Sequence, residues 1–550
     1  MISKCSVAAM LAATAFGGTA VGQAIINDQP TLVKSVVPHV TVTDIATTGD
    51  VSSTGLILPG VPDGIGAYDM GETVRFYVNH EFGATAGYDW SLDNGATIAG
   101  SRITAIDVSK STRQVVDFSQ AIRRIVFADG TELDASNAAG FGLGRLCSGG
   151  MAEGLIDEMY LTGEEVTDGR AYALEPVTGT FFEIAAFGRG GWENFAVLPT
   201  AGTAAEGKTV VLLMDDSSGR AAYLYIGDQD ASSSDFLTRN GLTGGRIHGW
   251  VSDLGYRSNV DFAGTGNTTT GTWVDITDGY DGSTEDSLVQ ASYDAGCFLF
   301  SRPEDCAYNP VNPASGEFVF ASTGRQGVYG GVTIDDPWGQ IYTISVDLAS
   351  IGTKVVTGGL TVSYDGNETG DFGIRSGDNL DWADNGLVYV QEDRSVGDFC
   401  QVSGEETSIW QLDPATGEAI RIAQVDRMAV PTGTTDGSPA DCGNWETSGI
   451  LDVSSMFGRN PGSFFVLDVQ AHSVNGGVIA AENLVQGGQL LFMSIEPIGC
   501  NADLTGDGVV DAADLGIVLG NWGTAAGDVN NDGTTDSADL SQILALWGGC

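Results

Sequence analysis

The sequence predicts a mainly β protein, a β-propeller of about six blades followed by a small α-helical module. Three observations favour this architecture: short apolar runs bounded by turn residues, a hairpin motif that recurs along the chain, and an aspartate-rich pattern written twice near the C-terminus. The predicted divisions are a signal peptide over residues 1–22, the propeller over residues 23–498 and the helical module over residues 499–550.

The first 22 residues have the pattern of a secretory signal. Lys4 precedes an alanine-rich apolar run from Val7 to Val21, and small residues follow before Gln23. This run is too short to span a bilayer, and no later apolar run reaches that length. We therefore expect a secreted protein, extracellular, periplasmic or at the cell surface, without a membrane span.

Acidic residues dominate the charge. There are 72 Asp and Glu against 24 Lys and Arg, which gives a formal net charge of -48. Such a surface repels polyanions, so the composition argues against nucleic acid and anionic membranes as partners. It also makes bound divalent cations plausible, because they would screen the repulsion between the acids.

Cysteines are expected to pair after export. The mature part has seven, and sequence proximity favours the pairs Cys297–Cys306, Cys400–Cys442 and Cys500–Cys550, although spacing alone does not establish connectivity. Cys147 would then be the unpaired thiol.

The predicted strands are rich in Val, Ile, Phe and Tyr and are bounded by Gly, Asp, Asn and Ser. They include Thr209–Met214, Ala221–Ile226, Glu317–Ser322, Gln340–Val346, Leu387–Glu392 and Ser463–Val469. The segments YALEPVTGTFFEI at Tyr172 and WQLDPATGEAIRI at Trp410 align as strand, turn and strand, and ITAIDVSKSTRQVVDF and YTISVDLASIGTKVVT are looser relatives. A recurring hairpin is typical of a propeller. A β-sandwich array or a β-helix remains the alternative.

A calcium-loop pattern occurs twice, twenty-five residues apart, at the C-terminus. Carboxylate, hydroxyl and amide oxygens fall at positions 1, 3, 5, 9 and 12, and position 7 offers a carbonyl. The first loop comprises Asp503, Thr505, Asp507, Val509, Asp511 and Asp514, and the second comprises Asp528, Asn530, Asp532, Thr534, Asp536 and Asp539. Gly508 and Gly533 stand at the sharp turns.

One short helix follows each loop, predicted over Leu515–Trp522 and Leu540–Trp547 from apolar residues at three- and four-residue spacing. The twelfth residue is Asp rather than Glu. Both features resemble a type I dockerin, and this resemblance implies a cohesin-type receptor as partner. Cys500 and Cys550 bracket the module.

Eight segments follow one another in the body of the chain: NHEFG at Asn79, LCSGGM at Leu146, YLTGEEV at Tyr160, GRGGWEN at Gly188, MDDSSG at Met214, SRPEDCAYNP at Ser301, GDNLDWADNGLVYVQED at Gly377 and VLDVQAH at Val466. Their order resembles that of the PhoX-type alkaline phosphatases over roughly residues 70–475. This resemblance implies a six-bladed propeller with ferric and calcium ions at the mouth of its central channel, a Cys among the iron ligands, and phosphomonoester hydrolysis.

The residues themselves agree with this expectation, because acids cluster at strand ends, which meet at one rim of a propeller. Carboxylates crowded together without cations would take up protons, so the cluster predicts hard metal ions. A thiolate among them suits iron better than calcium. The predicted metal ligands are Cys147, Glu81, Glu164, Glu165, Glu193, Asp215, Glu304, Asp305, Asp378 and Asn379. Asp216, Glu392 and Asp393 belong to the same set of strand-end acids.

Arg302 is the predicted phosphate-binding residue, because a guanidinium group can donate hydrogen bonds to two phosphate oxygens at once. Cys147 is the second residue assigned to catalysis, as an iron ligand. His80 is a weaker metal-ligand candidate, and His472 is weaker still.

Two departures from the family pattern leave the reaction open. Trp192 stands where a His is expected, and a longer MAEGLIDEM segment follows Cys147. The alternatives are a catalytically silent binding propeller, or a phytase-like or lactonase-like propeller.

Overall fold

The computed structural model describes residues 29–496, 502–505, 509–530 and 532–549. The predicted signal peptide, Cys500, Cys550, Asp507 and Gly508 lie outside the described residues. The described chain is mainly β, as predicted, with short helices between strands. None of the helices in the described ranges is both long enough and apolar enough to cross a membrane.

The N-terminal part of the described chain consists of strands connected by short turns. In chain order these strands are β1 (Val33–Ser35), β2 (Val40–Thr47), β3 (Pro62–Asp69), β4 (Thr73–His80), β5 (Trp90–Ser91), β6 (Thr97–Gly100), β7 (Arg102–Ser109), β8 (Val115–Gln120), β9 (Arg124–Val126), β10 (Gly142–Leu143), β11 (Leu146–Ala152), β12 (Met159–Gly169), β13 (Ala171–Glu175), β14 (Thr180–Glu183), β15 (Gly190–Leu198), β16 (Lys208–Asp215) and β17 (Tyr223–Asp228).

Short helices separate some of the later strands. The order continues with α1 (Phe236–Arg239), β18 (Arg246–Ser252), β19 (Thr268–Asp275), α2 (Glu285–Ala295), β20 (Pro303–Tyr308), β21 (Glu317–Ser322), β22 (Arg325–Tyr329), β23 (Val332–Asp336), β24 (Gln340–Ser345), β25 (Val356–Asp365), α3 (Gly366–Thr369), β26 (Gly377–Trp382), β27 (Val388–Glu392), β28 (Ser408–Leu412), β29 (Ala419–Val425), β30 (Thr435–Asp436), β31 (Glu446–Asp452), β32 (Phe464–Ala471), β33 (Val474–Asn475), α4 (Gly477–Ala481) and β34 (Gly487–Ile495). Short 3-10 helices lie at Ala185–Phe187, Thr277–Gly279, Pro313–Ser315, Gly370–Phe372 and Ser455–Phe457.

The strands form antiparallel units that we label A to F. They are A (β3, β4, β7, β8), B (β11, β12, β13, β14, with β9 added in parallel), C (β15, β16, β17, β18), D (β20, β21, β24, β25), E (β26, β27, β28, β29, β1) and F (β31, β32, β34, β2). Units B, C and D are continuous, because β12 pairs with β15 and β19 lies between β18 and β25. The N-terminal strands β1 and β2 complete units E and F, so the two ends of the sheet-forming chain are tied together.

The first strand of each unit contacts the first strand of the next unit. The contacting pairs are β3 with β11, β11 with β15, β15 with β20, β20 with β26, β26 with β31, and β31 with β3. The inner strands therefore form a closed cycle around a central channel, which is a propeller-type arrangement. The recurring hairpins occupy the outer two strands of units A, B, D and E, as the repeat predicts.

Apolar cores lie between neighbouring units. Ala196 and Leu198 pack toward unit D, whereas Phe195 and Val197 of the same strand pack toward unit B. Equivalent clusters lie at the A–B, D–E, E–F and F–A interfaces. The strands predicted from the sequence are buried on both faces, which explains why they are continuous apolar runs.

One predicted disulfide is confirmed and another is wrong. Cys400 and Cys442 are bonded, with Cα atoms 6.2 Å apart. Cys297 and Cys306 are free, buried thiols. Cys297 packs against Gly249 in the B–C core, whereas Cys306 lies in the C–D core, so the two thiols occupy different interfaces. Cys147 is also a free, buried thiol, as predicted.

The C-terminal segment contains β35 (Val509–Val510), α5 (Ala512–Gly520), α6 (Ser537–Ala545) and β36 (Gly548–Gly549). The helices begin three residues earlier than predicted, because Asp511 and Asp536 cap them and form capping boxes with Asp514 and Asp539. The helices pack on each other around Val518 and Ile543.

Candidate metal centre

Every inner strand carries a β-bulge at the same register. Two residues of the inner strand oppose one residue of the second strand, which re-aims the inner side chains. The residues that flank the six bulges are Pro62/Ile65, Leu146/Gly149, Trp192/Phe195, Pro303/Cys306, Gly377/Leu380 and Thr447/Ile450. Because the inner strands surround one channel, these bulges lie at equivalent positions around it.

The first residue of each bulge supplies the centre of the site. These residues are Asp63, Cys147, Glu193, Glu304, Asp378 and Ser448, and all are buried. With Glu81 and Glu165, the first five make up three overlapping groups whose ligand atoms lie within 4.8 Å of one another. The groups are Asp63 with Glu81 and Cys147, Cys147 with Glu165 and Glu193, and Glu193 with Glu304 and Asp378. Each of these groups could hold a metal ion.

A second set of residues, one His–Glu pair and three acidic pairs, comes from the second strand of four units, where the first member of each pair lies opposite the residue that precedes the bulge. The pairs are His80–Glu81, Glu164–Glu165, Asp215–Asp216 and Glu392–Asp393. In each pair the second residue lines a cavity of about 320 Å³ at the mouth of the channel, and the first residue does not. Successive side chains of a strand point to opposite faces, which separates the members of each pair.

The first members of the pairs have partners within the protein. Glu164 accepts a hydrogen bond from the Gly144 amide at 3.0 Å and lies 3.5 Å from Arg170. Asp215 pairs with Arg220 at 3.1 Å. The structure thus places Glu164 and Asp215, two predicted metal ligands, outside the cavity.

Glu392 and His80 also face away from the cavity. Glu392 pairs with Arg375 at 2.9 Å. The His80 ring contacts the Gly60 carbonyl and the Thr104 hydroxyl, each at 2.9 Å. Burial lowers the pKa of His80 to about 3, so the ring is neutral.

Asp305 and Asn379 occupy the second position of their bulges and form a layer beneath the centre. The Asp305 carboxylate accepts a hydrogen bond from the Leu380 amide at 3.0 Å and another from the Asn194 side chain. Asn379 donates to Asp63 at 3.3 Å. These two predicted ligands therefore support the bulges through hydrogen bonds.

Arg302 lines the cavity, where its guanidinium forms a bidentate pair with Asp216 at 2.7 and 2.6 Å. It also lies 3.0 Å from Glu304. Trp192, at the position where the resemblance leads to a His, is buried in the B–C core and does not line the cavity. The difference from the family pattern at position 192 therefore lies outside the cavity lining.

Sequence reasoning did not assign several cavity residues. Arg145 bridges Glu81 and Glu165, and the Cys147 thiol donates to Asp63 at 3.1 Å. Glu446 lines the cavity 3.4 Å from His472, which the sequence indicated only as the weakest metal-ligand candidate and which also lines the cavity. The sequence contained a pattern that could have identified Arg145. Arg145 precedes Cys147 by two residues, just as Arg302 precedes Glu304 by two residues.

Burial and mutual repulsion disfavour the charged forms of these acids. Burial, followed by the charge of Glu81, raises the pKa of Asp63 to about 8. Burial and neighbouring acids also raise the pKa values of Glu193, Glu304 and Asp378 well above their ordinary range, and burial with Asp63 does the same for the Cys147 thiol. Asp216 differs, because Arg302 lowers its pKa despite its burial.

These residues fit hard cations. Glu193 is 1% exposed, yet neither of its carboxylate oxygens has a hydrogen-bond partner. An unsatisfied buried carboxylate is costly, and a cation shared with Glu304 and Asp378 would satisfy it. The thiol beside Glu165 and Glu193 offers a softer donor in the neighbouring group.

Comparison with known proteins supports the fold and points to a family. A family model described as "Alkaline phosphatase PhoX" matches residues 173–440, somewhat less than half of the chain. The structure of Pseudomonas fluorescens PhoX in complex with vanadate, a transition state analogue, matches with a TM-score of 0.61 and 15% identity, covering 86% of this chain and 98% of that chain. At this identity the likeness shows a shared fold.

Two other solved structures are more distant. The Pseudomonas aeruginosa periplasmic gluconolactonase PpgL has a TM-score of 0.32 and 9% identity, with 77% of this chain and 84% of that chain covered. The PQQ-bound aldose sugar dehydrogenase of Streptomyces coelicolor has a TM-score of 0.32 and 11% identity, with 85% and 100% covered. These scores are too low to support a functional argument. No curated protein sequence matches the chain.

Proposed function

We infer that the chain is a metal-dependent phosphomonoesterase of the PhoX alkaline phosphatase type. One observation carries this inference: Cys147, the channel carboxylates and Arg302 meet in one cavity of a fold that matches PhoX. A phosphate dianion would be repelled by these acids alone, so the positive charge must come from cations bound among them.

The donor atoms favour two kinds of cation. The group of Cys147, Glu165 and Glu193 combines sulfur with carboxylate oxygen, which suits iron, and we assign Fe³⁺ there. The group of Glu193, Glu304 and Asp378 offers only oxygen, which suits Ca²⁺. When bound, these ions supply the positive charge that polarises the phosphoryl group and stabilises the departing oxygen.

Arg302 is the protein's own contribution to phosphate binding. Asp216 holds the guanidinium from one side, which fixes its direction into the cavity. The remaining N–H groups can donate to the non-bridging oxygens, whose charge develops further during phosphoryl transfer. Cys147 contributes through iron and not as a nucleophile, since burial keeps its thiol protonated in the cation-free protein.

The domain division proposed is a six-bladed propeller over residues 23–498, preceded by a signal peptide over residues 1–22 and followed by a dockerin over residues 499–550. The cycle of inner strands and the six equivalent bulges support the blade count. The proposed location is outside the cytoplasm, and the Cys400–Cys442 disulfide supports it.

The dockerin proposal includes calcium in both loops and a cohesin-type partner. In support, the Asp539 carboxylate accepts hydrogen bonds from the backbone amides of Val529, Asn530 and Asp536. These bonds connect the second loop to the helix that follows it. The two helices and the residues that follow them also expose equivalent apolar side chains twenty-five positions apart: Leu519 and Trp522 in the first copy, and Leu544 and Trp547 in the second. Hydrogen exchange of the full chain should show slower exchange across 502–549 on adding calcium, and equal exchange with calcium and with chelator would contradict the proposal.

The phosphomonoesterase proposal is tested by metal analysis and a phosphomonoester assay on wild type and Cys147→Ala. We expect tightly held iron and calcium with activity in the wild type, and loss of iron with at least about a thousandfold loss of activity in the variant. Cys306→Ala is the matched control, because this buried thiol lies in the C–D core. An iron-free wild type that is inert toward phosphomonoesters would leave a silent binding propeller as the better description.

A further inference from the structure

Arg145 occupies in unit B the place that Arg302 occupies in unit D. Each arginine lies two residues before the first residue of its bulge, Cys147 or Glu304, and each lines the same cavity. In unit C, between them, the equivalent residue is Gly191, which has no side chain. The two arginines are therefore related by the propeller's own repeat, and both side chains line one cavity.

The backbone holds Arg145 in an unusual conformation. Its φ is 38°, in the left-handed region that L-residues other than Gly seldom adopt. The Arg145 amide donates to the Phe82 carbonyl at 3.0 Å, and its own carbonyl accepts the Glu165 amide at 2.8 Å. Strain of this kind persists only where the surrounding structure fixes it, and it is found most often at functional sites.

The carboxylate partners of Arg145 are also candidate metal ligands. Its Nε donates to Glu165 at 2.9 Å, and Nη2 contacts both Glu165 and Glu81. These two glutamates belong to two different groups that could hold a cation. Cations bound there would repel the guanidinium and draw the carboxylate charge away from it.

Arg302 is held differently. Its bidentate partner, Asp216, belongs to none of the three groups in the described chain, and only its second contact, with Glu304 at 3.0 Å, is to a member of one. Arg302 is 17% exposed, whereas the Arg145 side chain is 47% exposed and has room to turn. Arg302 is thus the fixed cation of the cavity, and Arg145 is the one whose partners are lost when metal binds.

We propose that Arg145 is a second substrate-binding residue, which exchanges Glu81 and Glu165 for the non-bridging oxygens of a phosphoryl dianion once cations fill the centre. This inference rests on the proposed phosphomonoesterase function. Two guanidinium groups in one cavity match the two charged oxygens of a monoester dianion. A diester has only one such charge, so Arg145 favours monoesters.

The test measures binding of inorganic phosphate by calorimetry to the metal-loaded full chain, together with iron and calcium content of the same samples. The variants are Arg145→Gln, Arg145→Lys and Arg302→Gln. Arg246→Gln is the matched control, because Arg246 is also 47% exposed, pairs with the two acids Asp275 and Asp278, and does not line the cavity.

We expect Arg145→Gln to weaken phosphate binding by about 10- to 100-fold with unchanged metal content, and Arg145→Lys to recover part of the loss. The same variant should lower kcat/KM for monoesters more than for diesters. Arg246→Gln should bind phosphate like the wild type.

Two results would overturn this role while leaving the proposed function intact: an active Arg145→Gln protein that binds phosphate as tightly as the wild type, or one that binds phosphate weakly only because it has lost metal. A wild-type protein that holds its metals but neither binds phosphate nor hydrolyses monoesters would overturn the proposed function as well.

Discussion

Glu392 and Asp393 are adjacent in the chain, yet their carboxylates lie in opposite electrostatic environments. Glu392 is fully buried and pairs with Arg375, which also pairs with Asp371 at 2.9 Å and stacks on the Phe399 ring at 3.9 Å. We call Asp371, Arg375 and Glu392 the Arg375 node. Asp393 instead lines the channel cavity, whose other acids include Glu446 and Asp378.

The difference lies in where the counter-charge comes from. At the Arg375 node, the chain places a buried guanidinium between two carboxylates, and this arrangement needs no added ion. In the channel, the lining acids outnumber Arg145 and Arg302 several-fold. With 24 bases for 72 acids, the chain does not neutralise every buried carboxylate itself. The acids of the Arg375 node are neutralised by the chain itself, whereas the channel acids exceed their two arginines and include the groups that could hold external cations.

The same neutral substitution should therefore have opposite consequences in the two regions. In metal-free protein, Glu392→Gln should lower the free energy of unfolding by about 3 kcal/mol, because Arg375 loses a buried partner. Glu193→Gln should leave that free energy unchanged or raise it, because Glu193 has unpartnered oxygens and acidic neighbours. Urea unfolding in the presence of chelator measures both.

The exposed Glu368→Gln serves as the control for Glu392→Gln, with an expected change within about 0.5 kcal/mol. With metals restored, Glu193→Gln should lose bound metal whereas Glu392→Gln should retain it. Equal destabilisation by the two buried substitutions would remove the distinction between the regions.

The units of the fold could be predicted because the outer hairpin repeats in the sequence. The segments that begin at Tyr172 and Trp410 have the same kind of turn between two strands. Each of these hairpins lies in the outer half of its unit. The bulges could not be predicted, because they depend on pairing between strands and leave no distinct residue pattern. Asp63 was missed for this reason, since only the shared register of the bulges places it beside Cys147.

The candidate site was predicted at the level of segments rather than side chains. A shift of one residue along a strand reverses the face, so a pair such as Glu164–Glu165 does not reveal which carboxylate enters the channel. The structure turns Glu165 inward and leaves Glu164 with Arg170. Sequence proximity also failed for Cys297 and Cys306, because the chain between them crosses from one inter-unit core to the next.

Asp63 should give the cation-free channel a stability that falls as pH rises. Its pKa is raised to about 8, so the folded state keeps a proton that the unfolded chain releases near pH 4. This contribution is full below pH 4 and is lost as pH rises to about 8. Between pH 5 and 7, the free energy of unfolding of wild type should decrease by about 2 to 3 kcal/mol relative to Asp63→Asn. Parallel pH profiles for the two proteins would contradict the raised pKa.

Asp371 should show the opposite pH dependence, with a smaller amplitude. Burial alone would raise its pKa, but the amides of Ser403, Val402 and Cys400 and the guanidinium of Arg375 lower it to about 2. The folded state therefore binds a proton less readily than the unfolded chain. Stability from Asp371 is full above about pH 4 and is lost as pH falls toward 2.

The expected loss is at most about 2 kcal/mol, which a comparison of wild type and Asp371→Asn by thermal unfolding from pH 5 to 2 can measure. Wild type should lose more stability than the variant over this range, because the variant has no carboxylate to protonate. Asp89→Asn is the control, since this acid is exposed and the variant should follow the wild-type profile. If Asp371→Asn instead follows the wild-type acid limb, the backbone amides and Arg375 do not hold Asp371 charged, and the contrast between Asp371 and the channel acids reduces to a difference in burial.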